Sequence, residues 1–492
     1  MSITLQLAHS APATVETPLL AVILPAAPAL NDALAAVDAS LGGALARTLA
    51  RRDFRGGRDE TLLVVGGEKG VQRVLLVGRG GASLTRTTAR RAAAIAARQA
   101  TKLGTGAMHV YLPDATDDAI EGVAIGAAAG AWDYPDLRTP PKEEDRRMPL
   151  SACTVLAADT NSARAAFAAG VALAEGQAIA KRLGQMPGNY CTPETFVEVG
   201  RDIAARHGLK ITVLGREDLT REGMGAFLAV AQATPEEPRL IALEYRGGPV
   251  DQQPVALIGK GLCFDTGGIS IKPAPDMEWM KFDMSGAGGV MGAMETIARM
   301  KLPINVVGII GSTTNMLSGT AYKPGDVVRA SNGKTIEVVN TDAEGRMVLA
   351  DCLVFAKRFN PSVAIDAATL TGAIVIGLGH SATGVFGAER EIVDEVLAAG
   401  ERAGEPGWPM PLWDDYKEQI KSDIADVRQT GGRAGGSITA ALFLKEFVDG
   451  FAWVHLDVAG TAYSQTDLGW LAKGPTGTPV GTFVEFVRNR AR

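Results

Sequence analysis

Cysteine is scarce in this chain. Four residues in 492 (Cys153, Cys191, Cys263 and Cys352) stand far apart, and no two form a Cys-x-x-Cys pair. That spacing argues against a disulfide framework or a cysteine-based zinc finger and suits a reducing compartment. Histidine is almost as rare, at five residues. Long apolar runs are missing too. The stretch 18–30 is apolar but short, is broken by Pro25 and Pro28, and has no basic segment before it. It reads as a strand rather than a signal peptide or a membrane span. Nor is there an excess of positive charge: 49 basic against 55 acidic residues give a net charge of −6. Nothing overall favours nucleic acid or an anionic membrane as a partner. The default expectation is a cytoplasmic enzyme.

What is present suits a two-domain α/β protein. The length exceeds one ordinary core, and 46% hydrophobic with 21% charged residues is normal for a globular chain. In the first part, 61–65, 73–77 and 107–112 read as strands and 87–103 as a helix. Residues 136–148 join a proline pair to a charge run and look like a surface linker. A strand at 150–157 completes a smaller N-terminal α/β domain, taken as 1–160. An Ala-rich helix at 161–183 connects it to a larger domain, 184–492. There strand patterns (210–214, 239–245, 255–258, 304–310, 363–367, 451–456) alternate with helix patterns (194–206, 288–300, 346–359, 390–403, 437–448). Such alternation predicts a mostly parallel central sheet flanked by helices.

The densest chemistry lies in residues 340–349, Asn-Thr-Asp-Ala-Glu-Gly-Arg-Met-Val-Leu. A β-branched run at 335–339 precedes it, and helical spacing follows from Arg346 for about fourteen residues. Asp342 and Glu344 therefore fall where a strand end meets a helix start. Such a junction holds ligands rigidly and offers free N–H groups to an anion. The plainer reading is a helix cap with acids favouring the dipole. A second cluster, Gly259–Pro273, puts Lys260, Asp265 and Lys272 among glycines and apolar residues just after the strand at 255–258. Buried charges need partners, and Asp283, Asp342 and Glu344 could supply them. The segment has neither GxxxxGK[ST] nor GxGxxG, which disfavours a nucleotide site. Four acids suit two hard or borderline divalent cations. None of His9, His109, His207, His380 and His455 lies in either cluster, so a Cys/His zinc site is not expected. His455, inside an apolar strand, reads as a core histidine.

Taken together, these segments resemble the leucyl aminopeptidase family of cytosolic two-metal aminopeptidases. The likeness covers Gly259–Pro273, Met280–Ala287, Asn340–Leu349, 368–373, 424–427, 435–441 and Trp453–Gly460, in order along the chain. Cys263, Thr266 and Ser285 depart from the usual pattern, and 183–187 is looser than usual, but no ligand is lost. The resemblance implies a metal-dependent aminopeptidase that removes leucine or other apolar N-terminal residues from peptides by means of a metal-bridging hydroxide. It implies two divalent ions per subunit, manganese or zinc. Asp265 and Glu344 would contact both, Asp342 one, and Lys260 and Asp283 the other, with Lys260 neutral and its pKa strongly lowered. Lys272 and Arg346 would be the catalytic pair, Arg346 holding a bicarbonate ion that shuttles the proton. Met280, Asn340, Thr369, Leu370 and Gly372 would shape the substrate pocket. A homohexamer is implied as well. Rival readings are a phosphoesterase on the same metals and a DNA-binding role for the fold, the latter without support from the net charge.

Overall fold

The structure, a computed structural model, describes residues 3–491. The chain divides into two compact units, 1–174 with 466–473, and 175–465 with 474–492. The division falls inside one helix, Asn161–Gln185, where the sequence suggested a separate connecting element.

The first unit is built on β1 (Thr4–Ala8), β2 (Leu20–Leu24), β3 (Thr61–Val65), β4 (Arg73–Gly78), β5 (Ala107–Tyr111) and β6 (Ala152–Leu156). Their order is β1-β6-β5-β2-β4-β3, parallel throughout except for β3. Only Leu20–Leu24 of the apolar stretch 18–30 is strand, and all five of its residues are buried. The helices Arg86–Leu103 and Asp117–Ala131 pack closely because Gly122, Gly126 and Gly130 leave room. A Cβ at Gly126 would stand 2.0 Å from the Arg90 carbonyl oxygen. Thr85 caps the first of these helices, and Gly104 ends it at φ +67°. The charge run at 136–148 is exposed, with one short turn at Glu143–Asp145.

The second unit holds β7 (Lys210–Leu214), β8 (Arg239–Arg246), β9 (Val255–Asp265), β10 (Asn305–Asn315), β11 (Val327–Arg329), β12 (Thr335–Glu337), β13 (Val363–Ala368), β14 (Thr383–Gly387), β15 (Gly407–Pro409), β16 (Val427–Arg428) and β17 (Ala452–Asp457). Eight of these form one sheet in the order β15-β14-β17-β13-β9-β10-β8-β7. Its centre, β17-β13-β9-β10, is parallel, and antiparallel pairs flank that centre. Helices cover it, and Leu257, Ile258, Ile309, Ile365 and Val454 are fully buried. The fold is thus α/β, with mostly parallel strands and a larger second unit.

Two expectations are corrected. The strand expected at 255–258 continues to Asp265. Gly259 and Gly261 do not end it; they let the helix Ser285–Met300 approach. A Cβ at Gly259 would lie 2.6 Å from the Gly286 carbonyl oxygen. The run expected at 335–339 is a three-residue strand in a small side sheet, β11-β12-β16, and not part of the main sheet. No single helix among the described residues is long and apolar enough to cross a membrane.

Candidate metal centre

Three segments bring the charged residues together. Lys260 and Asp265 both come from β9. Five residues apart, they would point to opposite faces of a regular strand. The pairing with β10 slips by one residue at this place: Leu262 is opposite Thr313, yet Asp265 is opposite Asn315. The extra residue on β9 turns Asp265 toward the side of Lys260. Asp283 follows the single turn Met277–Phe282 and precedes the helix Ser285–Met300. Asp342 lies in the turn before the helix Glu344–Ala356, and Glu344 is that helix's first residue. The helix therefore starts two residues before Arg346. Its cap is Ala343, with no side-chain cap bond, so neither acid is a helix cap.

All five expected ligands and Lys272 meet in one cluster. Lys260 Nζ lies 2.8 Å from Asp283 Oδ1 and 2.8 Å from Glu344 Oε1, and it donates to the Thr369 carbonyl at 2.9 Å. Lys272 Nζ is 2.7 Å from Asp265 Oδ2 and also touches Asp342. Carboxylate oxygens of Asp265, Asp342 and Glu344 all lie within 4.8 Å of one another. In the first turn of the helix, buried Arg346 donates from Nη1 to the Gln429 carbonyl at 2.9 Å, while its Nε has no partner. The expected pocket residues are spread around this cluster. Thr369 Oγ1 donates to Asp283 Oδ1 at 2.8 Å. Asn340 Oδ1 accepts from the Asp342 N–H at 3.0 Å. The Met280 carbonyl accepts from the Asp283 N–H at 3.2 Å. Leu370 is half-buried, and Gly372 opens the helix Gly372–Leu378 with free space on its Cα.

The electrostatics follow from crowding. Burial, with the nearby Glu344 charge, pushes Asp265 up to about 7. Burial also raises Asp283 and Asp342. Glu344 goes down: burial opposes this, but Lys260 and Lys272 outweigh it. Both lysines are held above their ordinary range by the carboxylates, against burial. Among the protein's own charges the Lys260 amine is a counter-cation to Asp283 and Glu344; the lowered Lys260 expected from the resemblance belongs to the cation-bound site, where ligation requires the amine to lose a proton. Burial lowers Arg346 to about 10.

The residues fit divalent cations. Four carboxylates face two ammonium groups, a surplus of two negative charges. Asp283 Oδ2 and Glu344 Oε2 are buried without a hydrogen-bond partner. Buried anionic oxygens of this kind are costly unless something cationic meets them, and an oxygen-rich set with one amine suits hard or borderline ions.

Sequence reasoning passed over the residues that tie the two clusters together. Asn315, fully buried at the end of β10, donates from Nδ2 to Asp265 Oδ1 at 2.7 Å and to the Thr341 carbonyl at 2.9 Å. Tyr322 donates to that same carbonyl at 2.9 Å. Thr341 Oγ1 donates to Gly267 O at 2.6 Å and accepts from Ser270 N–H at 2.8 Å. Gln429 Oε1 accepts from the N–H groups of Val339 and Asn340. The one available hint was polar residues, Ser312 to Asn315, ending an otherwise apolar strand. His455 is a core histidine, its Nδ1 2.6 Å from Asp366 Oδ1.

Comparison with known proteins agrees with this geometry. Residues 178–484 match a family model described as the cytosol aminopeptidase family, catalytic domain, and residues 21–141 match that family's N-terminal domain. A probable cytosol aminopeptidase of Geobacter sp. (strain M21) is 42% identical over 459 residues, covering 92% of this chain and 93% of that protein. One from Alkalilimnicola ehrlichii is 42% identical over 477 residues, 94% of each. Among solved structures, a tomato leucine aminopeptidase mutant superposes with a TM-score of 0.89 at 32% identity, covering 99% of this chain and 96% of that one. The bottromycin maturation enzyme BotP in complex with Mn gives 0.86 at 33% identity, covering 97% and 100%.

Proposed function

Since the chain belongs to the cytosol aminopeptidase family, we propose that it releases N-terminal residues from peptides, leucine and other apolar ones by preference, with two divalent cations per subunit. The observation that carries this reading is the meeting of Lys260, Asp265, Asp283, Asp342 and Glu344, with buried carboxylate oxygens on Asp283 and Glu344 that no protein donor satisfies. Manganese or zinc fits the donor set. Asp265 and Glu344 would serve both ions, Asp342 one, and Lys260 with Asp283 the other. When bound, the cations supply an acidified water as nucleophile and a Lewis acid for the scissile carbonyl.

The chain's own residues do the rest. Lys272, held between Asp265 and Asp342, would donate to the carbonyl oxygen as negative charge grows there. Asp283 marks the end where the substrate's free α-amine belongs. An internal peptide bond has no such amine, so cleavage is confined to the first residue. Arg346, anchored at Nη1 by Gln429, keeps Nε free to hold a hydrogen carbonate ion beside the N–H groups of the helix start. Such an ion supplies a proton acceptor in a site with no histidine at hand. Met280, Asn340, Thr369, Leu370 and Gly372 would border the first side chain. A homohexamer in the cytoplasm completes the reading, and sedimentation equilibrium tests the oligomer.

The central test strips the protein with a chelator and restores manganese, zinc or magnesium. Leucine p-nitroanilide should be cleaved after manganese or zinc is added, and p-nitrophenyl phosphate should not be. Cleavage that survives chelation, or a preference for the phosphate ester, would sink the reading.

A further inference from the structure

Asp457 ends β17 and is 1% exposed. Both of its carboxylate oxygens face the segment 369–371. Oδ1 accepts from the Leu370 N–H at 3.1 Å and the Thr371 N–H at 3.4 Å. Oδ2 accepts from the Thr371 hydroxyl at 2.6 Å. That hydroxyl also accepts from the Ile374 N–H and so caps the helix Gly372–Leu378. One residue upstream, Thr369 reaches the acidic cluster with both polar groups: its carbonyl to Lys260, its hydroxyl to Asp283. Residues 369–371 are thus a strap, fixed at one end to Lys260 and Asp283 and at the other to Asp457. The register explains why Asp457 can do this. β13 and β17 run parallel with Ala368 opposite Asp457, so the chain leaves β13 beside that carboxylate. A wholly buried group stands behind it. Asp366 binds His455 Nδ1 at 2.6 Å and Trp453 Nε1 at 2.6 Å. Burial raises Asp457, and the His455 charge partly opposes this.

A buried carboxylate costs far more than a neutral acceptor would. Apart from a local bond from the Ala459 N–H at 3.3 Å, its hydrogen bonds run to this one strap, and they account for its presence here. We propose that Asp457 is a positioning residue for the aminopeptidase reaction: it fixes 369–371 so that Thr369 orients Asp283 and Lys260, and Leu370 and Gly372 form a fixed wall for the substrate's first side chain. This rests on the aminopeptidase reading above.

The test compares the wild-type holoenzyme with Asp457→Ala, Asp457→Asn and Thr371→Val on leucine and alanine p-nitroanilide. Asp457→Ala should raise KM for the leucine substrate about tenfold and erode the leucine-over-alanine ratio by a similar factor. Asp457→Asn keeps an oxygen for the Leu370 and Thr371 N–H groups, so KM should return to within about threefold of wild type. A merely structural role would lower kcat equally for both substrates and leave KM and the ratio unmoved; that result overturns the proposal. If Asp457→Ala does not fold, Thr371→Val decides. It loses the hydroxyl tie to Asp457 and the cap on Ile374 N–H but keeps both backbone ties; it should raise KM about threefold and lower the ratio, and unchanged values count against the proposal. A second readout needs no activity. In metal-free Asp457→Ala and Thr371→Val, the Leu370 and Thr371 amides should exchange faster than in wild type while β13 and β17 keep their protection, and in Asp457→Asn they should stay close to wild type. Unchanged exchange at those two amides in Asp457→Ala and Thr371→Val overturns the tie. Failure of the wild-type protein to cleave either nitroanilide would be a failure of the aminopeptidase reading, and exchange alone would then settle the tie.

Discussion

Lys260 and Lys272 each bridge two carboxylates, yet their surroundings differ. The Lys260 side chain is 3% exposed and that of Lys272 19%, which fits the proposed contact of Lys272 with a substrate carbonyl. That difference, with the place of Arg346 in the first turn of its helix, sets an order for three substitutions. Glu344→Ala removes an oxygen pair expected to serve both cations, and turnover with manganese should fall about a thousandfold or more. Lys272→Ala should retain the metal, measured by equilibrium dialysis, and lose about a hundredfold in kcat. Arg346→Ala should lose less, about tenfold to a hundredfold, because its proposed role is to hold an anion rather than the nucleophile. Metal loss in Lys272→Ala would reassign it as a ligand, and wild-type turnover in Glu344→Ala would end the two-metal reading. These residues were legible because charges among glycines and apolar residues demand partners. Asn315, Gln429 and Asp457 were not. Each is a polar residue in a strand or just beyond one, and its role comes from bonds to chain 26 to 90 residues away.

At the scale of elements, periodicity located the helices well, because their apolar faces pack on the sheet: the helix expected at 390–403 is Arg390–Ala403. Strand ends were less legible. Glycines 259 and 261 look like punctuation, but β13 pairs with β9 up to Gly259 and β10 pairs with it past both glycines to Asp265. The helix Glu344–Ala356 carries a buried acid of its own. Asp351 accepts from the N–H groups of Phe227 at 2.9 Å and Ser331 at 2.7 Å. Burial pushes it from 3.8 up to about 6, against those bonds. Between these values the folded protein holds a proton that the unfolded chain has released. The stability this group contributes is therefore full below about pH 4 and lost as pH rises to about 6. Asp351→Asn has no such titration; it loses one acceptor, which is a pH-independent penalty. Relative to wild type, the variant should gain on the order of 2–3 kcal/mol between pH 4 and pH 7 in urea unfolding of the metal-free protein. A difference that stays constant with pH would mean that Asp351 is already ionised in the fold at pH 4.

At the scale of the whole molecule, composition and length pointed to two α/β units, but not to their membership. Residues 466–473 belong with the first unit. There Asp467 pairs with Arg98, and the Arg91 guanidinium lies 4.9 Å from the centre of the Trp470 ring. Eight residues without periodicity give no sequence signal for such a return, since only contacts remote in the chain define it. The chemistry is as unevenly divided as the chain. Among the described residues, the carboxylate group suited to a cation lies in the second unit, and the first has two apolar cores of its own. A cation that binds only the native second unit stabilises that unit by mass action, about 2.7 kcal/mol at a hundredfold excess over Kd. Amide exchange read segment by segment should show it. With manganese, β9, β10, β13 and residues 339–347 should exchange up to about a hundredfold more slowly. β1 to β6 should exchange at the same rate with and without it. Equal slowing in both units would mean that they open as one. No slowing at Asp265, Asp342 and Glu344 would rule out the site these three carboxylates are proposed to form.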